Sequence, residues 1–133
     1  FAVGTFEGFF NGFHGLFLKP EDRVEGGAQI AIIAPDGTGY QELTSRTANN
    51  AFPSWSPDGT RFVFRTFGPD GNGLRIMDVS SRKVTTLTRE YDNFPLWSPR
   101  GDLITFAGQI CVVRGAMPAV DVALLLHVPG QTT

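Results

Sequence analysis

Apolar residues in this chain come in short runs, and almost every run ends in a cluster of Gly, Pro, Asp or Ser. With 9 prolines and 16 glycines, few uninterrupted windows are long enough for a helix, so the pattern predicts short strands joined by tight turns. The middle of the chain shows this most clearly. Phe52 to Trp55 is a short apolar run, and Ser56-Pro57-Asp58-Gly59 predicts a turn. Pro57 presets φ at the second turn position, Asp58 suits the third, and Gly59 accepts the positive φ that follows. Arg61 to Phe67 predicts a strand with Phe62 and Phe64 on one face and Val63 on the other, apolar on both sides as expected between two layers. A loop at Gly68 to Gly73, a third strand at Leu74 to Val79, a turn at Ser80 to Lys83 and a fourth strand at Val84 to Thr88 follow. Together they predict a four-stranded antiparallel meander of about 40 residues.

The unit recurs. FPSWSPDGTRFVF at Phe52 to Phe64 is matched 42 residues on by FPLWSPRGDLITF at Phe94 to Phe106. Pro99 and Gly101 keep their turn positions, and Arg100 stands where Asp58 stood, which a type I turn tolerates. The next strand is placed at Leu103 to Phe106 and a very short connection at Ala107-Gly108. A third strand follows at Gln109 to Val113, because Gln109-Ile110-Cys111-Val112-Val113 echoes Gln29-Ile30-Ala31-Ile32-Ile33. That echo exposes an earlier unit, with a third strand at Ile30 to Ala34, a turn at Pro35-Asp36-Gly37 and a fourth strand at Tyr40 to Thr44. Leu16 to Leu18 is assigned as its second strand and Gly4 to Phe10 as its first, with the polar segment Lys19 to Ala28 as a loop matching that at Gly68 to Gly73. Ala119 to Val128 fits a short helix or a strand. The expected fold is all-β: a partial β-propeller of about three four-stranded antiparallel blades at about 4–44, 49–88 and 91–128, in a single partial propeller spanning 1–133.

A hydrophobic share of 41% against 18% charged fits a chain with a packed core. A net charge of −2 and a pI near 5.6 argue against a nucleic-acid partner, which normally meets a basic face. No apolar run approaches the roughly 20 residues of a membrane span; the longest, Val122 to Val128, is interrupted by His127. One cysteine, Cys111, excludes an internal disulfide framework and a cysteine-rich zinc site, and its assigned strand makes it an apolar filler. The chain begins at Phe1 rather than Met and shows no basic stretch followed by an apolar one. A processed or partial chain is expected, with no signal peptide to read.

The W-S-P-D-G motif leading into a β-run, with a later Ile and Asp and a closing Leu-Thr, resembles the TolB-like propeller repeat. That repeat is a relative of the WD-type repeat and also occurs in the propeller domains of prolyl-oligopeptidase-type enzymes. Trp55, Ser56, Pro57, Asp58, Gly59, Ile76, Asp78, Leu87 and Thr88 carry the match in the middle unit, and Trp97, Ser98, Pro99 and Gly101 in the last. The resemblance covers residues 29–113. It implies a closed ring of six to eight blades, completed by remaining blades of the same chain or by a homo-oligomer of head-to-tail copies. It also implies a location in the bacterial envelope or periplasm, or outside the cell.

Strand order in a meander fixes which loops share a face. The S-P-D-G turn falls on one mouth, with the turns at Ala34–Gly37 and Ser80–Lys83. The other mouth collects Asn49, Asn50, Tyr91, Asp92 and Asn93 near the channel, and Glu21, Asp22, Arg23, Asp70 and Asn72 farther out. Polar loops on a rigid scaffold are the usual carriers of binding residues, so Asn49, Asn50, Asp70, Asn72, Tyr91, Asp92 and Asn93 are the candidate partner-binding set. Trp55 and Trp97 are expected in the inter-blade core, Pro57, Asp58, Gly59, Pro99 and Gly101 in structural turns, and Arg61 and Arg65 at strand edges.

Catalysis finds little support. His14 and His127 are the only histidines, and neither has a Ser or Cys at recognisable spacing; G-x-S-x-G, G-x-x-x-x-G-K-[ST], H-E-x-x-H and C-x-x-C are all absent. No cofactor or metal is expected, since no EF-hand-like spacing supplies the six or more oxygens that calcium takes. The expected function is a non-catalytic scaffold for a protein or peptide partner. Two other classes stay open: the propeller portion of a prolyl-oligopeptidase-type hydrolase whose catalytic domain lies outside this chain, and a small-ligand or carbohydrate-binding propeller.

Overall fold

The computed structural model describes residues 2–5, 27–45, 47–69, 71–110 and 120–130. Three antiparallel sheets account for all the regular structure among them. The first contains β1 (Ala2–Thr5), β2 (Ile30–Ile33) and β3 (Gln41–Glu42), in that order. The middle sheet contains β4 (Asn49–Trp55), β5 (Arg61–Gly68), β6 (Gly71–Asp78) and β7 (Val84–Thr86), also in sequence order. The last contains β8 (Asn93–Trp97), β9 (Leu103–Ile110) and β10 (Val120–His127), again each strand beside the next. The architecture is a partial β-propeller. Among the described residues no helix is long and apolar enough to cross a membrane.

The middle sheet is packed on both faces, as the alternation along β5 requires. Phe62, Phe64 and Met77 bury against Ile30 of the first sheet, with Leu43, Trp55 and Val79 around them. On the opposite face Val63 and Ile76 bury against Trp97, Ile104 and Val128 of the last sheet, with Leu87 alongside. The backbone N–H of Trp97 also donates to Ser54 Oγ at 3.0 Å, tying β8 to β4. The far side of the last sheet is open. There Leu96 and Leu125, each paired with Thr105 across the ladder, stand exposed. In the repeat these three occupy the places of Ser54, Ile76 and Val63, the surface that Trp97 and Ile104 cover one sheet earlier.

The S-P-x-G turns hold by the same bonds with a different carboxylate. In the middle sheet Ser56 Oγ donates to Asp58 Oδ1 at 2.6 Å and accepts from the N–H of Arg61 at 3.0 Å, while Gly59 N donates to Ser56 O at 2.9 Å. In the last sheet Ser98 Oγ donates to Asp102 Oδ1 at 3.0 Å and accepts from the N–H of Leu103 at 3.1 Å, and Gly101 N donates to Ser98 O at 2.9 Å. Arg100 takes the position of Asp58, and the carboxylate reappears two residues later as Asp102, 3.5 Å from Arg100 Nη2. Both turns need the left-handed region at the last position, with φ of 72° at Gly59 and 80° at Gly101.

Several sequence expectations are corrected. β9 does not end at Phe106: it runs through Ala107-Gly108 to Ile110, and its partner is Val120–His127, not Gln109–Val113. Gly108 is no turn residue. It sits in the strand because a Cβ there would meet Leu124 Cδ1 and Asp92 Oδ1 within 2.8 Å. The alternative left open at Ala119–Val128 resolves as a strand over Val120–His127. In the first sheet the strand next to β2 is Ala2–Thr5, in register Ala2↔Ile33 to Thr5↔Ile30. β3 pairs with the other edge of β2. Leu16 to Leu18, Phe6 to Phe10, Lys19 to Gly26 and Cys111 lie outside the described residues. The loop expected at Gly68 to Gly73 is a tight hairpin, with Gly68 paired to Gly71.

Candidate binding surface

The first strands of the middle and last sheets carry the same local irregularity. β4 and β8 each contain a bulge, between Ala51 and Ser54 and between Asn93 and Leu96. In each, a Phe before Pro is forced to positive φ: 56° at Phe52 and 53° at Phe94. A bulky residue in the left-handed region is strained by about 1 kcal/mol or more, so the two sites store the same distortion. The result is outward display. Instead of entering the core both rings turn to solvent, Phe94 at 58% exposure, and meet each other at 4.6 Å between centroids.

Arg65 extends this pair into a stack. Its guanidinium carbon lies 4.8 Å from the Phe52 ring centre and 4.3 Å from that of Phe67, and Phe67 in turn contacts Tyr91 at 5.4 Å. Tyr91 is 61% exposed. The same guanidinium forks to two amides: Nη2 donates to Asn49 Oδ1 at 2.6 Å and Nη1 to Asn93 Oδ1 at 3.0 Å. Asn49 lies on the middle sheet and Asn93 on the last, so Arg65 clamps the seam between them. Burial lowers the Arg65 pKa from its ordinary value, and its Nε is buried without an acceptor. Its planar fork and always-present charge suit such a stacked, neutral-acceptor site.

The structure divides the candidate set. Asn49, Asn93 and Tyr91 surround the Arg65 stack. Asn50 and Asp92, which are repeat equivalents, turn inward at 5% and 4% exposure. Asn50 Nδ2 lies 3.3–3.4 Å from Gln29 Oε1, Ser45 O and Ala48 O, an internal bracket between the first two sheets. Asn72 is on β6 opposite Phe67, and its Oδ1 accepts from Gly68 N at 3.4 Å within the hairpin. Asp70, Glu21, Asp22 and Arg23 lie outside the described residues. Trp97 is buried with its Nε1 donating to Gly101 O at 3.1 Å, and Arg61 covers its ring at 5.1 Å. Trp55 packs edge-on against Phe62. Phe52, Phe94, Phe67 and Arg65 were not among the candidates; the signal that marks the first two is the Phe-Pro pair repeated before each W-S-P. Among the described residues no three His, Cys, Asp or Glu side chains are placed to hold a metal.

Comparison with known proteins gives a consistent picture. No family model matches the chain. It is 34% identical over 78 residues to a protein TolB homolog of Chlorobium luteolum, and 40% identical over 80 residues to a Tol-Pal system protein TolB of Geobacter sulfurreducens. These alignments cover 58% and 59% of this chain and span 18% of the length of each relative. Among solved structures, a chain described as TolB from Agrobacterium tumefaciens superposes with a TM-score of 0.57 at 26% identity, over 62% of this chain and 30% of that one. TolB from Acinetobacter baumannii superposes at 0.61 and 16% identity over 77% and 27%, a likeness of fold alone. Over the matched residues the chain is similar to TolB proteins, and it shares the TolB-like propeller fold.

Proposed function

We propose that this TolB-like propeller segment is a non-catalytic scaffold that binds a protein or peptide partner across the seam between its middle and last sheets. The observation that carries the reading is the exposed stack Phe94–Phe52–Arg65–Phe67–Tyr91, all but Tyr91 held on strands, bracketed by Asn49 and Asn93. Exposed aromatics beside amide groups supply apolar contact area at low conformational cost together with hydrogen bonds to a peptide backbone. The Geobacter sulfurreducens relative bears the name Tol-Pal system protein TolB, which supports other proteins of such a system as the partner class. The open face bearing Leu96 and Leu125 supports a larger ring, closed by further blades of the same chain or by a second copy.

Selection of a phage-displayed peptide library on the chain tests the reading. Peptides that lose about tenfold or more in affinity on Tyr91→Ala or Phe94→Ser, as a hot-spot truncation produces, support it. Peptides that bind both variants as well as the parent place the partner elsewhere.

A further inference from the structure

A concave site lies on the opposite face of the middle sheet from the aromatic stack. It is a groove of about 320 Å³ between the first and middle sheets, within the range of small-molecule pockets. Its lining includes Arg75, Arg82, Ser45, Thr47, Asn50 and Thr66, and no carboxylate among the described residues. In a chain of net charge −2, two cations facing one cavity without an acid are a local reversal of sign.

The two arginines differ in what they do. Arg82 Nη2 donates to Gln41 Oε1 at 2.7 Å, joining the turn after β6 to β3 and bridging the two sheets. The Arg75 side chain, on β6, makes no hydrogen bond or ion pair to any described residue, and its Nε is buried without an acceptor. A buried guanidinium N–H left unsatisfied is costly. Nearby, Ser45 and Thr47 hydroxyls bond to each other at 2.9 Å; one of the two O–H groups is consumed in that bond, and the other remains to donate. The groove thus offers donors and positive charge, which is the recognition chemistry of an oxyanion.

We propose that this groove binds a small organic anion whose phosphate or carboxylate group pairs with Arg75. The cavity is larger than the anionic group alone requires, so the remainder of the ligand lies along the apolar wall made by Phe64 and Met77. The site is separate from the aromatic seam and does not depend on the partner-binding reading.

Calorimetric titration of the chain with O-phosphoserine, succinate and uncharged glycerol tests it. The expected result is saturable binding of phosphoserine, succinate or both, none of glycerol, and at least about a tenfold loss of affinity in Arg75→Gln. Phosphoserine alone assigns the phosphate class, and succinate alone the carboxylate class. Arg75→Lys, which keeps the charge without the fork, falls between the parent and Arg75→Gln. The proposal is overturned if neither anion binds the parent chain at millimolar concentration, or if folded Arg75→Gln binds as the parent does.

Discussion

The Arg65 guanidinium and the Asn93 amide oxygen meet at 3.0 Å across the seam between the middle and last sheets. In the repeat Asn93 corresponds to Ala51 and Arg65 to Ala107, so the contact is particular to this seam and is not part of the blade pattern. Asn93→Ala should cost about 2 kcal/mol, the range for a hydrogen bond to a charged group. In a double-mutant cycle with Arg65→Met the coupling should be about 1 kcal/mol. Urea melts of the four proteins measure it, and additive effects would mean that the two residues do not act together.

The two repeat tryptophans should respond unequally to the same substitution. Trp97 Nε1 has its acceptor in Gly101 O, whereas Trp55 Nε1 is buried without one. Trp97→Phe removes a satisfied bond as well as ring area, while Trp55→Phe removes a donor that had no partner. Trp97→Phe should therefore be the more destabilising by about 1 kcal/mol in denaturant melts. Equal losses would show that ring volume alone matters.

Hydrogen bonds from Ser56, and then from Thr60, hold the Asp58 carboxyl at about 2, below its ordinary 3.8. The folded pKa is the lower one, so the stabilisation is fully present above the unfolded value and is lost as pH falls from about 4 towards 2. Thr38 lowers Asp36, and Ser81 and Ser80 lower Asp78, so they act in the same direction. Melting temperatures followed from about pH 6 to about pH 2 should fall in that acid window. Asp58→Asn should lie below the parent at neutral pH and converge with it in acid. A constant gap at every pH would rule out this origin.

Phe94 adopts φ of 53°, a region that glycine enters without steric cost. Phe94→Gly should therefore be more stable than Phe94→Ala by about 1 kcal/mol, reversing the usual order for a strand. Thermal melts of the pair decide it. If alanine is the more stable, the backbone at this bulge is not strained.

Leu96 and Leu125 should drive self-association of the chain. Sedimentation velocity should show a species heavier than the monomer, and Leu125→Lys should shift the population towards monomer. A parent chain that stays monomeric across the accessible concentration range would count against a second copy on this face.

Much of the fold was legible because it is written locally. The S-P-x-G turns, the two-sided alternation of Phe62, Val63 and Phe64, and the paired Leu-Thr closures at Leu43-Thr44 and Leu87-Thr88 depend on neighbours in sequence. The misplaced strands came from local signals with more than one cause. Ala107-Gly108 looks like a connection, but Gly108 answers to Asp92 and Leu124, residues that only the fold brings near. The resemblance of Gln109–Val113 to Gln29–Ile33 carries no register, because β10 already fills the ladder position beside β9. The binding surface was half legible. Asn49, Asn93 and Tyr91 follow from the meander, but the Arg65 stack needs two bulges and an inter-sheet contact that no spacing announces. Asn50 and Asp92 look like mouth residues until their burial is seen.

The open face of the last sheet gives the stack a direction. The middle sheet shows the last one Val63 and Ile76 and meets the first with Trp55, Phe62 and Phe64, so its two sides are unlike. A mirror-like pairing of two identical open faces would set Leu96 and Leu125 against themselves, whereas the seam between the middle and last sheets joins two unlike surfaces. A contact built like that seam would run head to tail, the geometry that closes as a ring or continues as a filament.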